Sequence, residues 1–283
     1  MKKEFVTFYN LNSSECEMIC NNSEIPVNLD EFVIENGVVK KCISNAKIIR
    51  IPDGVKCLDG FSVKSESLEK LIISNSVAEI KYFDLFNIYC EKLSDIIVMP
   101  KNKKFSDIDG VLYTADKSEI LLCPIAKKSH EIADGTIYIR KNAFYLCKSI
   151  EKIIIPDSVI EIGDNAFQFC KNLKSIVISS SVRKIGNKAF SDCNRLENIT
   201  ISNTLSEIGK NLFAGKSMRD VPLYINIIDT TMGLSDATAE KIHKQFSKIL
   251  AKIDKKLARE YQRNHTVKNY LLIKKGFLGI APT

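Results

Sequence analysis

The chain has 283 residues, with 41 Lys and Arg against 34 Asp and Glu, for a formal net charge of +7. Charged residues make up 27% and the hydrophobic set 45%, which excludes a disordered chain and fits one large domain or two ordinary ones. No apolar run approaches the roughly 20 residues that span a bilayer.

The N-terminus, MKKEFVTFYNLNSSECEMIC, has two lysines but no apolar core, because Asn10, Asn12, Ser13, Ser14 and Glu15 interrupt it. It does not read as a signal peptide, so the expected compartment is the cytosol. Residues 1–31 are expected to be an N-terminal cap or extension. Cys16 and Cys20 form a lone C-x-x-x-C, and none of the nine cysteines belongs to a C-x-x-C pair. A zinc ribbon, a thioredoxin-type site and a bound metal are therefore not expected. Reduced thiols fit the odd count.

From Phe32, FVIENGVVKK reads as a β-hairpin, since Asn36-Gly37 between apolar runs favours a type I′ turn. Ile51, Val55 and Leu58 then recur as Ile73, Val77 and Ile80, 22 residues on, and Leu71 and Ile73 recur as Ile96 and Val98 after 25. Residues 101–131 break the rhythm. VLYT and EILLC alternate around ADKS, which predicts a hairpin inserted in one coil and projecting from it.

Beyond the insertion the period becomes strict. IGDNAFQFC, from Ile162, returns as IGNKAFSDC from Ile185. Phe144, Phe167, Phe190 and Phe213 stand 23 apart, as do Cys147, Cys170 and Cys193. Within a unit, SIVI is a period-two strand with Ile176 and Ile178 inward and Val177 outward. SVRKIG supplies a second extended piece, with Val182 and Ile185 inward, and Gly186 is expected in a turn with φ > 0. Leu223 and Ile225 look like a last, altered strand. The reading is a β-rich repeat solenoid of about seven or eight coils over residues 32–228, each coil burying its apolar face only against its neighbours.

Residues 229–283 follow as a basic helical segment. Between Asp236 and Lys275 there are eleven Lys and Arg against four Asp and Glu, a net of +7. Ile242, Phe246, Ile249, Leu250, Ile253 and Leu257 form an apolar stripe, and Lys241, Lys244, Lys248, Lys252, Lys255 and Arg259 lie opposite. The expectation is a cap on the last coil, with the lysines in water. The alternatives are a membrane-surface helix, a site for nucleic acid or another anionic partner, or a coiled coil.

The unit IEKIIIPDSVIEIGDNAFQFCKNL resembles the leucine-rich repeat of the BspA-like (treponemal) type, with its apolar positions, Ile-Gly, Ala-Phe and Cys. The segment IDGVLYTADKSEILLCP is similar to an insertion common in that family. The resemblance covers roughly Phe32 to Phe213 and implies a leucine-rich repeat fold. Family members are often bacterial surface proteins that bind host proteins or other cells, so a cell-surface or secreted location is the alternative to the cytosol. Lys216 replaces the Cys of the last unit.

For function, the outward residues of the main sheet, Ile72, Ile97, Ile154, Val177 and Thr200, are the candidate protein-binding column. The inserted hairpin is expected to help present it. The cysteine column is expected to fill space as small buried hydrophobes. Asp107-Ile-Asp109-Gly110 resembles the first motif of haloacid-dehalogenase-type phosphatases, a nucleophile and an acid/base. However, KNKKFS precedes it where a hydrophobic strand is required. His130, His243 and His265 are scattered, fit no catalytic motif, and are expected on the solvated surface. The expected function is thus a non-enzymatic scaffold without cofactor, metal or small-molecule substrate, for a protein partner the sequence does not name.

Overall fold

The computed structural model describes residues 29–214, 224–228, 230, 236–253, 259, 271–273 and 277–279. The chain winds as a β-solenoid in which each coil gives one longer strand to one wall and one short strand to another. The first long wall is the parallel sheet β3 (Ile48–Arg50), β5 (Lys70–Ile73) and β7 (Asp95–Val98). The second is β12 (Lys152–Ile155), β14 (Ser175–Ile178), β16 (Asn198–Ser202) and β18 (Tyr224–Ile228).

The short wall also has two sections. In one, β1 (Phe32–Glu35) pairs antiparallel with β2 (Val38–Cys42), and β4 (Cys57–Asp59) and β6 (Glu79–Lys81) follow in parallel. Asn36 and Gly37 take φ of 52° and 75° in the β1–β2 turn, as the type I′ expectation requires. In the other section, β11 (Tyr138–Ile139), β13 (Glu161–Ile162), β15 (Lys184–Ile185) and β17 (Glu207–Ile208) stack in parallel.

The sequence period is the strand register. Leu58 pairs with Ile80, Leu71 with Ile96, Ile153 with Ile176, and Ile162 with Ile185. Alternation in Lys152–Ile155 and Ser175–Ile178 puts every second isoleucine inside, where it is at most 1% exposed.

A third side is built from the repeated phrase itself. Asn142, Phe144 and Leu146 donate their backbone N–H groups to the carbonyls of Asp164, Ala166 and Gln168 in the next coil. Asn165, Phe167 and Phe169 donate to Asn187, Ala189 and Ser191 in the same way. This ladder needs left-handed residues four apart: Asn142 with Leu146, Asn165 with Phe169, and Lys188 with Asp192 all have φ between 53° and 64°. Asn, whose short side chain tolerates that region, takes three of the four leading positions when Asn211 is included.

The glycine of the phrase has a different job from the one expected. Gly163, Gly186 and Gly209 are not among the positive-φ residues. Instead, a Cβ on Gly186 would stand 2.4 Å from the Asp164 backbone nitrogen and 2.6 Å from the Gly163 carbonyl carbon. The coils approach so closely there that only hydrogen fits.

Inside, Phe144, Phe167, Phe190 and Phe213 form a stacked column with centroid spacings of 4.8, 5.5 and 6.0 Å. Beside it, the Cys170 thiol donates to the Phe144 carbonyl at 3.1 Å and the Cys193 thiol to the Phe167 carbonyl at 3.0 Å. The cysteines thus fill space and also satisfy a carbonyl one coil back. Burial pushes the Cys147 and Cys170 thiols well above their usual range, so they stay protonated. The seven cysteines among the described residues are buried and free; Cys16 and Cys20 lie outside them.

The insertion does not project. It is a meander of β8 (Phe105–Ile108), β9 (Val111–Thr114) and β10 (Glu119–Leu122), and β10 continues in parallel into β11. The β9–β10 hairpin is as expected, and β8 adds a strand whose signal is Asp109-Gly110 between FSDI and VLYT. That turn has φ of 48° and 69°.

β9 and β10 form a wall between two apolar cores. Val111, Tyr113 and Ile120 join the core of the later coils, and Leu112, Leu121 and Leu122 join that of the earlier ones. Asn87, in the single-turn helix α1 (Phe86–Tyr89), reaches across the break and donates to the carbonyls of Cys123 at 2.9 Å and Tyr145 at 2.8 Å.

The stack ends under helix α2 (Asp236–Ile253). Phe246 and Ile249 enter the later core beside Ile225 and Ile227, which makes the helix a cap. Ile242 is half-buried, and His243 and Ser247 are buried with the stripe. The side chains of Leu250, Ile253 and Leu257 lie outside the described residues. β19 (Leu271–Ile273) pairs antiparallel with β20 (Phe277–Gly279), and β19 lies against β18.

Two histidines also depart from the solvated reading. His130 is buried, with Nε2 2.8 Å from the Tyr113 hydroxyl, and His243 is buried within helix α2 itself. His265, Leu223 and Lys216 lie outside the described residues.

Candidate partner-binding face

The outward column is two columns. β7 and β12 do not pair, so the long wall is interrupted between them. On the earlier section Arg50, Ile72 and Ile97 are in register. Ile72 does not face solvent: it is 2% exposed and packs with Met99, with Ile48 and Ile97 partly buried against the pair. Ile72 therefore drops out of the face, and Ile97 is half-covered.

On the later section Ile154, Val177, Thr200 and Asn226 are in register. Ile154 is 56% exposed and Val177 36%, while Thr200 is intermediate. Lys152, Ser175 and Asn198 form the polar row beside them. At the near edge the Lys174 ammonium and Glu151 carboxylate pair at 2.8 Å. Ile160, 40% exposed, lies off this face, just before the short strand β13. The backbone beneath Val177 and Thr200 is laddered on both sides, while Ile154 stands on the edge strand β12, so the ridge is apolar within a polar surround and is open at its β12 end.

The other candidates carry structural duties. The Asp107 carboxylate accepts the Val98 backbone N–H at 2.7 Å, closing the free edge of β7 where a strand would otherwise sit. Asp109 occupies the left-handed turn position and pairs with Lys127 at 3.2 Å, which also meets Asp95 at 3.1 Å. The His130 Nδ1 is 3.9 Å from the Asp109 carboxylate, but burial lowers its pKa to about 4, so the ring is neutral near pH 7.

A shallow cleft of about 290 Å³ lies over Gly163 and Gly186. Four of its charged residues are paired, Glu161 with Lys184 at 2.9 Å and Glu119 with Arg140 at 4.0 Å. Among the described residues no cluster of His, Cys, Asp and Glu could hold a metal ion.

On α2, Lys241, Lys244, Lys248 and Lys252 are exposed, as is Arg259 beyond it. The side chain of Lys255 lies outside the described residues. No helix among the described residues is long and apolar enough to cross a membrane.

Comparison with known proteins places this geometry. The model of the BspA type leucine rich repeat region matches residues 8–109 and 123–232 in six copies. The match starts upstream of Phe32 and skips residues 110–122, the part of the insertion that holds β9 and β10. The chain is similar to the pneumococcal vaccine antigen PcpA, at 19% identity over 68% of this chain and 59% of that one, with a TM-score of 0.49. It is similar to a leucine rich cell surface protein from Faecalibacterium prausnitzii, at 22% identity over 70% and 62%, TM-score 0.44. It is also similar to a leucine rich repeat protein of T. pallidum, at 21% identity over 65% and 81%, TM-score 0.31. The chain thus spans about three fifths of the length of the first two. Comparison with curated proteins gives no match. Leucine-rich repeats point to protein-interaction scaffolds rather than catalysts. With the repeat model matching about three quarters of its 283 residues, the chain belongs to the BspA-type leucine-rich repeat family.

Proposed function

We propose that the protein is a non-enzymatic scaffold that binds a protein partner on the outward face of the β12–β14–β16–β18 sheet. The observation that carries this reading is the adjacent pair Ile154 and Val177, solvent-exposed on a sheet whose inward isoleucines are sealed. Exposed β-branched residues on a fixed backbone lose little entropy when a partner covers them. Thr200 extends the ridge and Ile97 stands on the neighbouring section. The insertion acts as internal wall and takes no part in the contact.

The test is the double substitution Ile154→Lys with Val177→Lys. Both side chains point out, so the circular dichroism spectrum and melting temperature should hold. Proteins captured from native cells by the tagged wild type should be lost with the variant. An identical captured set would overturn the reading.

A second reading rests on the four exposed lysines of α2, none of which makes an ion pair among the described residues. The helix spends its apolar side on the cap, so an anionic surface would meet the cations alone. Binding to acidic-lipid vesicles or to an oligonucleotide, steeply weakened by salt and by Lys244→Gln with Lys248→Gln, would support it. Salt-independent binding would sink it.

A further inference from the structure

A second surface stands apart from the sheet face. Phe61 and Tyr82, on successive coils, meet edge to face with centroids 5.5 Å apart, and Phe61 also tilts against Tyr89 at 6.3 Å. Tyr89 is partly buried against the earlier core, while the other two rings reach solvent. Phe61 is 50% exposed and Tyr82 58%, and Ile88 beside Tyr89 is 41% exposed. The Lys64 ammonium lies 4.4 Å over the Tyr89 ring and makes no ion pair among the described residues.

The backbone holds these rings in place before any partner arrives. A Cβ on Gly60 would be 2.2 Å from the Tyr82 carbonyl oxygen, so glycine lets the two coils close up and brings the rings together. The Asp59 carboxylate accepts the Phe61 backbone N–H at 2.9 Å. Tyr82 sits at φ 51°, a left-handed conformation costly for a bulky side chain. Water would accept an Asn there equally well, and the repeat uses Asn at Asn142, Asn165 and Asn211.

We propose that Phe61, Tyr82, Tyr89, Ile88 and Lys64 form a docking dish for a peptide segment of a partner protein that carries an apolar side chain next to a carboxylate. The apolar group stacks on Phe61 and Tyr82, where preorganised rings give contact area at low entropy cost. The carboxylate meets Lys64, which lies over the Tyr89 ring and has no carboxylate partner among the described residues.

The experiment pans a phage-displayed random dodecapeptide library on the full chain and measures the enriched peptides, resynthesised, by fluorescence anisotropy. Enriched sequences should place an aromatic or aliphatic residue beside Asp, Glu or a free C-terminus. Affinity should fall roughly tenfold with Phe61→Ala or Tyr82→Ala. It should fall about two- to fivefold with Lys64→Gln. Tyr82→Asn, which suits the left-handed backbone, should lose binding with no loss of fold. The Ile154→Lys, Val177→Lys variant should bind these peptides normally, which separates this dish from the sheet face. Peptides indifferent to Phe61→Ala, or to Lys64→Gln, overturn the proposal. So does ring-dependent self-association in sedimentation, or ring-dependent binding confined to a glycan array.

Discussion

Gly186 and Gly54 separate two reasons for keeping glycine. At Gly186 the space for a Cβ is filled by the preceding coil, while at Gly54 nothing lies within 4 Å but φ is +91°. Gly186→Ala should cost about 2–3 kcal/mol, as overpacking does, and Gly54→Ala about 1 kcal/mol, the conformational part alone. Urea denaturation of both variants checks the order, and equal losses would mean the column of glycines is not a packing device. Sequence periodicity located this column but not its cause, because a turn glycine and a close-approach glycine recur with the same period. The same limit applied to His130, a residue with no period of its own. It is buried neutral, with a folded pKa of about 4 against 6.5. Its contribution is therefore full above pH 6.5, where the unfolded ring is also neutral, and is lost as pH falls from 6.5 towards 4. The loss is up to about 3 kcal/mol. Denaturation midpoints at pH 7 and pH 4.5 should separate more for the wild type than for His130→Gln.

Among the elements, the coils from Lys152 to Ile208 were legible because one rule, period two inside period 23, governs every position. The meander was only half legible. Its alternation predicts a hairpin that projects, whereas both of its faces are buried, each in a different core. Local pattern cannot tell a strand that faces water from one that faces a second core. A paired substitution exposes this arrangement. Leu112→Ala and Tyr113→Ala alter adjacent residues on opposite faces of β9. Each should cost about 3–4 kcal/mol. Hydrogen exchange should rise chiefly in residues 38–98 for Leu112→Ala and chiefly in residues 139–208 for Tyr113→Ala. The same exchange pattern from both would mean the wall does not divide the molecule. Helix α2 shows a similar half-success: its stripe predicted the cap, but His243 and Ser247 share the buried side, since an 18-residue helix on a blunt end seals more than its apolar arc.

At the scale of the whole molecule, two sections of solenoid share the β8–β10 wall, the Asn87 bridge and the Asp95–Lys127–Asp109 cluster. Repeat counting saw one stack, because the coils on both sides obey nearly the same rule and nothing in that rule marks a division. The insertion that looked like a decoration is the joint. A protein tethered by its ends and pulled would feel this directly. Each later coil is fastened to the next by three rows of bonds that open one after another, so it should peel away at modest force, releasing roughly 80 Å of slack for its 23 residues. The antiparallel meander cannot peel in that manner. Its strands are gripped on both faces and must let go together, so the force trace should show a taller, longer rupture between two runs of small regular teeth. A trace of uniform teeth from end to end would mean the joint bears no more load than an ordinary coil.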